Sequence, residues 1–212
     1  SNRISHESRM LPEYSLVMRA TRHAGSPVRV LLGGGIGSGK SLAGRRFEEL
    51  GAVVVDSDEV GHEVLAPEGE AYASVSERWP DVASASGIDR RRLGRIVFGS
   101  QKDLRELEAM THPAIARRIA EIADATDDLI VEVPLILELP GDWTTCYVDT
   151  AADRRLQRAV GRGLDEENVR QRMSNQPDRH EWLEWADRIV DNNGTPEQLA
   201  EQVDGLWMEL KA

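Results

Sequence analysis

The stretch VRVLLGGGIGSGKSLAG, Val28 to Gly44, limits the fold more than any other: an apolar run ends in glycines, and a segment with helical spacing follows. Gly34, Gly39, Lys40 and Ser41 fit the pattern G-x-x-x-x-G-K-[ST], which functions between a strand and a helix. Glycines there let successive backbone N–H groups turn toward one anion, and the helix behind them adds the positive end of its dipole. In that arrangement Lys40 reaches the β and γ phosphates of a nucleotide and the Ser41 hydroxyl is a Mg2+ ligand. The plainer alternative is a glycine-rich turn in a Rossmann-like fold that binds no nucleotide. A partial dinucleotide fingerprint can be drawn through Gly35 and Gly37, but Lys40 directly after the last glycine suits a triphosphate rather than NAD.

The alternation continues beyond the loop. Gly51 closes the first helix and AVVVD supplies a second apolar run, so the order is strand, loop, helix, strand. DLIVEVPLIL reads as a buried strand broken at Pro134, TTCYVDT as another before the helical ADRRLQRAV, and RIVDNN as a short one. Three to five such strands joined by helices imply an α/β fold with a parallel sheet covered on both faces, which accounts for their nearly uninterrupted apolar character. A long polar stretch before Leu129 reads as an inserted, mainly helical lobe, its periodicity interrupted at Pro67, Pro80, Gly87 and Pro113. Trp182, Trp185 and Trp207 sit at helical spacing in amphipathic segments and are expected as core anchors.

Composition narrows the partners. Twenty-six Lys and Arg against 37 Asp and Glu give a formal net charge of -11, which repels a duplex or an anionic membrane surface as a whole. The one cysteine, Cys146, forms no internal disulfide, and no apolar run is long enough for a bilayer span or a secretory signal. These features predict a cytoplasmic protein that handles small molecules, not nucleic acid or membrane; its oligomeric state is left open.

Carboxylates and arginines turn a phosphate loop into a candidate reaction site. Asp56 and Asp58 follow the second strand, on the sheet edge that carries the loop, where an acid can take a proton from an attacking hydroxyl or hold Mg2+ through water. The alternative for Asp56 is a helix N-cap. Arg154, Arg158 and Arg162 recur every four residues, either as a solvated face or as a stripe toward phosphate. Arg162, just before Gly163, marks the end of a helix where a mobile flap can begin, and such an arginine neutralises charge on a transferring phosphoryl group. No N-K-x-D tetrapeptide for reading guanine occurs, so a small-molecule phosphotransferase is favoured over a GTPase.

With GGIGSGKS, LGAVVVDSDEVGHEVLAP, IDRRRLGRIVF, THPAI, VEVPLILE, RGLDEENVRQRMSNQ and ADRIVDNNG in this order, the chain resembles the dephospho-coenzyme A kinase family from Val28 to Leu210. The resemblance implies a P-loop NTPase-type sheet with an inserted helical acceptor lobe, roughly residues 59–127, and a helical lid, roughly 162–182, within a domain spanning 28–212. Residues 1–27 are expected to be an N-terminal extension, part of it a tag. It implies ATP and Mg2+ as cofactors and phosphorylation of the ribose 3′-hydroxyl of dephospho-coenzyme A. Gly34, Gly35, Ile36, Gly37, Ser38, Gly39, Lys40 and Ser41 would bind ATP, with Asn193 and Gly194 near its adenine. Lys40, Asp58 and Arg162 would be catalytic, Asp58 as base, and Ser41 would hold Mg2+, with Asp58 acting through water. Arg90 and His112 would belong to the acceptor lobe, and Glu132, on the strand position where other phosphate-loop proteins keep a metal acid, is given no catalytic role.

Three departures fall on the acceptor side. Gly33 stands where the family usually has Thr, Leu137 where it has Phe, and the connection after Glu138 is shorter. They keep two alternatives in view, a kinase of another nucleoside-like alcohol and a nucleotide-binding regulatory homologue without turnover.

Overall fold

The computed structural model describes residues 26–84 and 86–212, so the extension expected over residues 1–27 lies outside the described residues except for its last two positions. The elements in chain order are β1 (Arg29–Gly33), α1 (Lys40–Glu49), β2 (Val53–Asp56), α2 (Ser57–Val64), α3 (Tyr72–Arg78), a 3-10 turn (Pro80–Val82), β3 (Ala83–Ser84) and β4 (Gly87–Ile88). There follow α4 (Arg90–Val97), α5 (Gln101–Asp124), β5 (Leu129–Val133), β6 (Thr144–Asp149), α6 (Ala152–Gly161), α7 (Glu166–Ser174), α8 (Arg179–Trp185), β7 (Arg188–Asp191) and α9 (Pro196–Lys211).

Five strands form one parallel sheet in the order β2-β5-β1-β6-β7, the upper end of the expected number. The chain builds to one side of β1 and then to the other, so the strand order reverses at the C-terminal end of β1. That is where an open α/β sheet leaves a crevice for a ligand. Side chains alternate across β1: Val30 and Leu32 pack with Phe47 of α1 and Leu199 and Val203 of α9, whereas Leu31 packs with Val60 of α2 and Ile119 of α5. Both faces are therefore covered, which is why Val30, Leu31 and Leu32 are apolar in succession. Arg29 at its start donates to the carbonyls of Ala123, Thr126 and Asp127, which joins β1 to the C-terminal end of α5.

A separate apolar cluster, with Val75, Trp79, Leu93, Val97 and Ala114, holds α3, α4 and the middle of α5 together beside the sheet. Gly87 lies in the short antiparallel pair β3-β4 and Pro80 opens the 3-10 turn, so both interrupt helix as expected. Pro113 does not. It sits inside α5, which runs unbroken for 24 residues. An interior proline costs a helix about 3 kcal/mol. Burial on two different cores offsets that: Ile119 is fully buried against the sheet, worth about 1.5–3 kcal/mol, and Leu104, Leu107 and Met110 pack with Ala114 on the helical cluster. His112, one residue earlier, is exposed.

Cys146 on β6 is wholly buried, and burial pushes its thiol up to about 12. Native protein is expected to resist a thiol-alkylating reagent at neutral pH while denatured protein reacts fully; rapid native labelling, read by intact mass, would contradict this placement of β6. Among the described residues no helix is long and apolar enough to cross a membrane.

Candidate active site

The loop between β1 and α1 is held by its carbonyls. Ser38 O accepts from the Asn192 side-chain amide at 2.7 Å and from the Thr150 hydroxyl at 2.9 Å, Ile36 O from Arg155 at 3.0 Å, and Gly34 O from Lys40 Nζ at 2.6 Å. With the carbonyls engaged, the N–H groups of Gly37, Gly39, Lys40 and Ser41 meet no acceptor among the described residues. Gly39, at φ 93°, is the N-cap of α1, a left-handed conformation that also brings its Cα against Asn192, where a Cβ would overlap the amide. These bare donors open, with the positive end of α1, on a cleft of ≈ 620 Å³.

Cations line the same cleft: Lys40, Arg45, Arg158 and Arg162. Arg158 Nη2 donates to Asn192 O at 3.0 Å, but its Nη1 is buried with no partner among the described residues. A buried guanidinium nitrogen without an acceptor, beside four free backbone donors, fits a polyanion such as a nucleotide's phosphates. Arg162 caps the end of α6, exposed, and its side chain donates to Arg158 O at 3.3 Å. The three-arginine stripe is only partly toward the cleft: Arg154 points to solvent, because the loop is met by the neighbouring position, Arg155.

Acids stand on the other side of Lys40. Ser41 Oγ donates to Glu132 Oε2 at 3.0 Å, and burial pushes the Glu132 carboxyl up. Register places Asp56 on β2 opposite Glu132 on β5. Asp56 caps α2, accepting from Asp58 N at 2.9 Å, so for it the capping alternative holds. The Asp58 carboxyl is raised by the desolvating wall beside it and by Asp56, with Lys40 and His62 opposing, although much of its side chain meets solvent. Lys40 is lowered by burial, against the pull of Glu132, Asp56 and Asp58. No group of three or more His, Cys, Asp or Glu stands ready for a metal among the described residues. The donors that do meet, the Ser41 hydroxyl and the Glu132 carboxylate, are hard oxygens of the kind that suits Mg2+, which keeps several of its waters.

Asn193 and Gly194 lie further out. Side chains alternate past the end of β7, so Asn192 faces the loop, while Asn193 Oδ1 accepts from Ala151 N at 2.9 Å and steadies the start of α6. Gly194 borders a neighbouring depression with Gln198 and Gln202. Asn192, Arg155 and Gln176 were missed in the sequence, which marks Asn192 only as a polar residue ending a short strand and the other two only as polar residues in helical segments; their contacts with the loop span 119 to 154 residues.

At the end of β1, Trp182 stacks on Tyr147 at 5.5 Å and 1°, and Trp185 meets Trp182 edge-on at 5.3 Å and 76°. A Cβ on Gly33 would overlap the Trp182 ring and lie 2.6 Å from Trp185. Trp185 Nε1 in turn donates to Leu137 O at 3.3 Å. Two departures from the expected pattern, Gly33 and Leu137, thus meet the same pair of indoles. The segment expected as a lid is docked at this end: Trp182 is wholly buried, and Arg179 pairs with Asp149 at 2.7 Å.

Residues 28–198 match the family model described as Dephospho-CoA kinase. The Dephospho-CoA kinase of Corynebacterium jeikeium is 38% identical over 191 residues, 85% of this chain and 98% of that protein. That of Thermobifida fusca is 38% identical over 193 residues, 87% and 96% of the two chains. Among solved structures, TT1252 from Thermus thermophilus superposes with a TM-score of 0.74 at 28% identity, over 88% of this chain and 100% of that one.

Proposed function

The chain belongs to the dephospho-CoA kinase family, and from that premise we propose how its residues divide the work of phosphoryl transfer. It is an ATP-dependent phosphotransferase acting on the ribose 3′-hydroxyl of dephospho-coenzyme A, which yields coenzyme A and ADP. One observation carries the assignment of the donor side: the free N–H groups of Gly37, Gly39, Lys40 and Ser41 face a cleft bordered by four cations. We assign the phosphates of ATP to that cradle, formed by the loop from Gly34 to Ser41, with Asn192 as its brace and with Asn193 and Gly194 toward the adenine side.

Asp58 orients the acceptor hydroxyl and takes its proton; the raised carboxyl makes it a stronger base than an ordinary aspartate. Lys40 and Arg162 offset the charge that grows on the transferring group, and Arg158 offers its unpaired Nη1 to the same phosphates. Ser41, with Glu132 and Asp58 nearby, would hold Mg2+, whose positive charge would reduce the repulsion between the phosphates and the incoming oxygen. We assign the acceptor to the lobe over residues 59–127 and the lid to the segment from Arg162 toward Trp182, which reaches from the loop at Gln176 to Gly33 at Trp182.

The departure at Gly33 is accounted for by packing against the indoles, so it favours no different alcohol. A coupled ADP-release assay is expected to show turnover that requires dephospho-coenzyme A and Mg2+ together. Release of no ADP with that acceptor, by protein that binds ATP, would sink the assignment.

A further inference from the structure

Arg155 is a guanidinium that the fold buries to 8% exposure without using it on the cleft, since it is not among the lining residues. Taking such a charge out of water costs several kcal/mol unless its N–H groups are well matched. Its partners are the back of the phosphate loop. Arg155 Nε donates to Ile36 O at 3.0 Å and Nη2 to Gln176 Oε1 at 3.0 Å, while the same Gln176 oxygen accepts from Ile36 N at 2.9 Å. Both polar groups of one loop residue are thereby fixed by two side chains from α6 and from the α7–α8 connection.

The loop glycines are shaped by this contact as much as by a phosphate. A Cβ on Gly35 would overlap the Arg155 guanidinium and lie 2.6 Å from Gln176 Oε1, and one on Gly37 would overlap the Arg155 carbonyl. A glycine-rich loop left to itself is costly to order, at about 1–2 kcal/mol per residue.

We propose that Arg155 and Gln176 are positioning residues that hold the phosphate loop in its receiving shape before nucleotide arrives, and that Gln176 couples the helical segment beyond Arg162 to that loop. This rests on the assignment of the cradle to phosphates. Filling the cradle tightens the loop against Gln176, and movement of the segment away from the loop frees Ile36 N and slackens the cradle.

The test uses the full chain with Mg2+ and two probes, inorganic tripolyphosphate, which meets only the loop, and ATP, both titrated calorimetrically without acceptor. Q176M keeps the side-chain length and removes the shared acceptor oxygen. It is expected to weaken both probes by about tenfold, with melting within a few degrees of the native chain and the KM for dephospho-coenzyme A unchanged. R155K keeps the charge but not the fork, and is expected to weaken both probes as well. Native affinity for tripolyphosphate in either folded variant would overturn the clamp. Failure of the native chain to bind tripolyphosphate would overturn the phosphate assignment beneath it.

Discussion

Replacing Asp58 by Asn is expected to lower turnover by ~10² or more while leaving the KM for ATP nearly unchanged. The amide keeps the size and the orienting hydrogen bond of the carboxyl but cannot take a proton. Its side chain makes none of the loop's hydrogen bonds, which are with Asn192, Thr150, Arg155, Gln176 and Lys40. The pH profile gives a second, independent readout. Because the folded fold raises the Asp58 carboxyl, chiefly by desolvation and then by Asp56, the base is lost as pH falls through a value above the usual ~3.9 for aspartate. The native enzyme should therefore show an acid limb in kcat/KM displaced upward, and D58N should lose that limb along with the rate. Native turnover in D58N would remove Asp58 from the chemistry; an unchanged acid limb would assign the limb to another group, with Glu132 the next carboxyl to test.

Gly33→Thr should be the most disruptive change at the sheet edge. The backbone there is ordinary strand, so the cost is space alone: a Cβ would overlap Trp182 and press on Trp185. Overpacking of a rigid core costs typically 1–3 kcal/mol, which in a domain of this size lowers the melting temperature by roughly 2–4 °C per kcal/mol. The displaced indoles carry α8 with them, so catalytic efficiency toward dephospho-coenzyme A should fall along with stability. Trp182→Leu alone leaves a void against Tyr147 and is also destabilising. Combined with Gly33→Thr, however, it should restore part of the loss, because the smaller side chain admits the threonine. Simply additive losses in the double variant would mean that position 33 and the indole do not compete for the same space.

Different parts of the molecule were legible for different reasons. The three inner strands announce themselves because they are buried on both faces, which demands runs such as VLL and LIV, whereas β2 and β7 at the edges are partly exposed and read as strands from their β-branched residues. The loop is spelled out locally, since its conformation is set by glycines and its chemistry by Lys40 and Ser41, all within one turn of chain. Pro113 misled because a local penalty was outweighed by burial on two separate cores that only the folded chain brings to α5. The arginine stripe was right at Arg158 and Arg162, which line the cleft, and wrong at Arg154. A period of nearly four residues fits all three, but how α6 lies on the sheet decides which side chain meets the loop at its N-terminal end, and that selects Arg155 over Arg154.

By itself, then, the sequence determined the parallel sheet, the position of the phosphate loop between β1 and α1, and the acids that follow β2, because each is a property of neighbouring residues and their spacing. Only the tertiary structure decided what surrounds that loop: Asn192 beneath it, Arg155 and Gln176 behind it, Glu132 at Ser41, and two indoles over Gly33. Those contacts join residues far apart in the chain, and their geometry is set by how helices pack on the sheet.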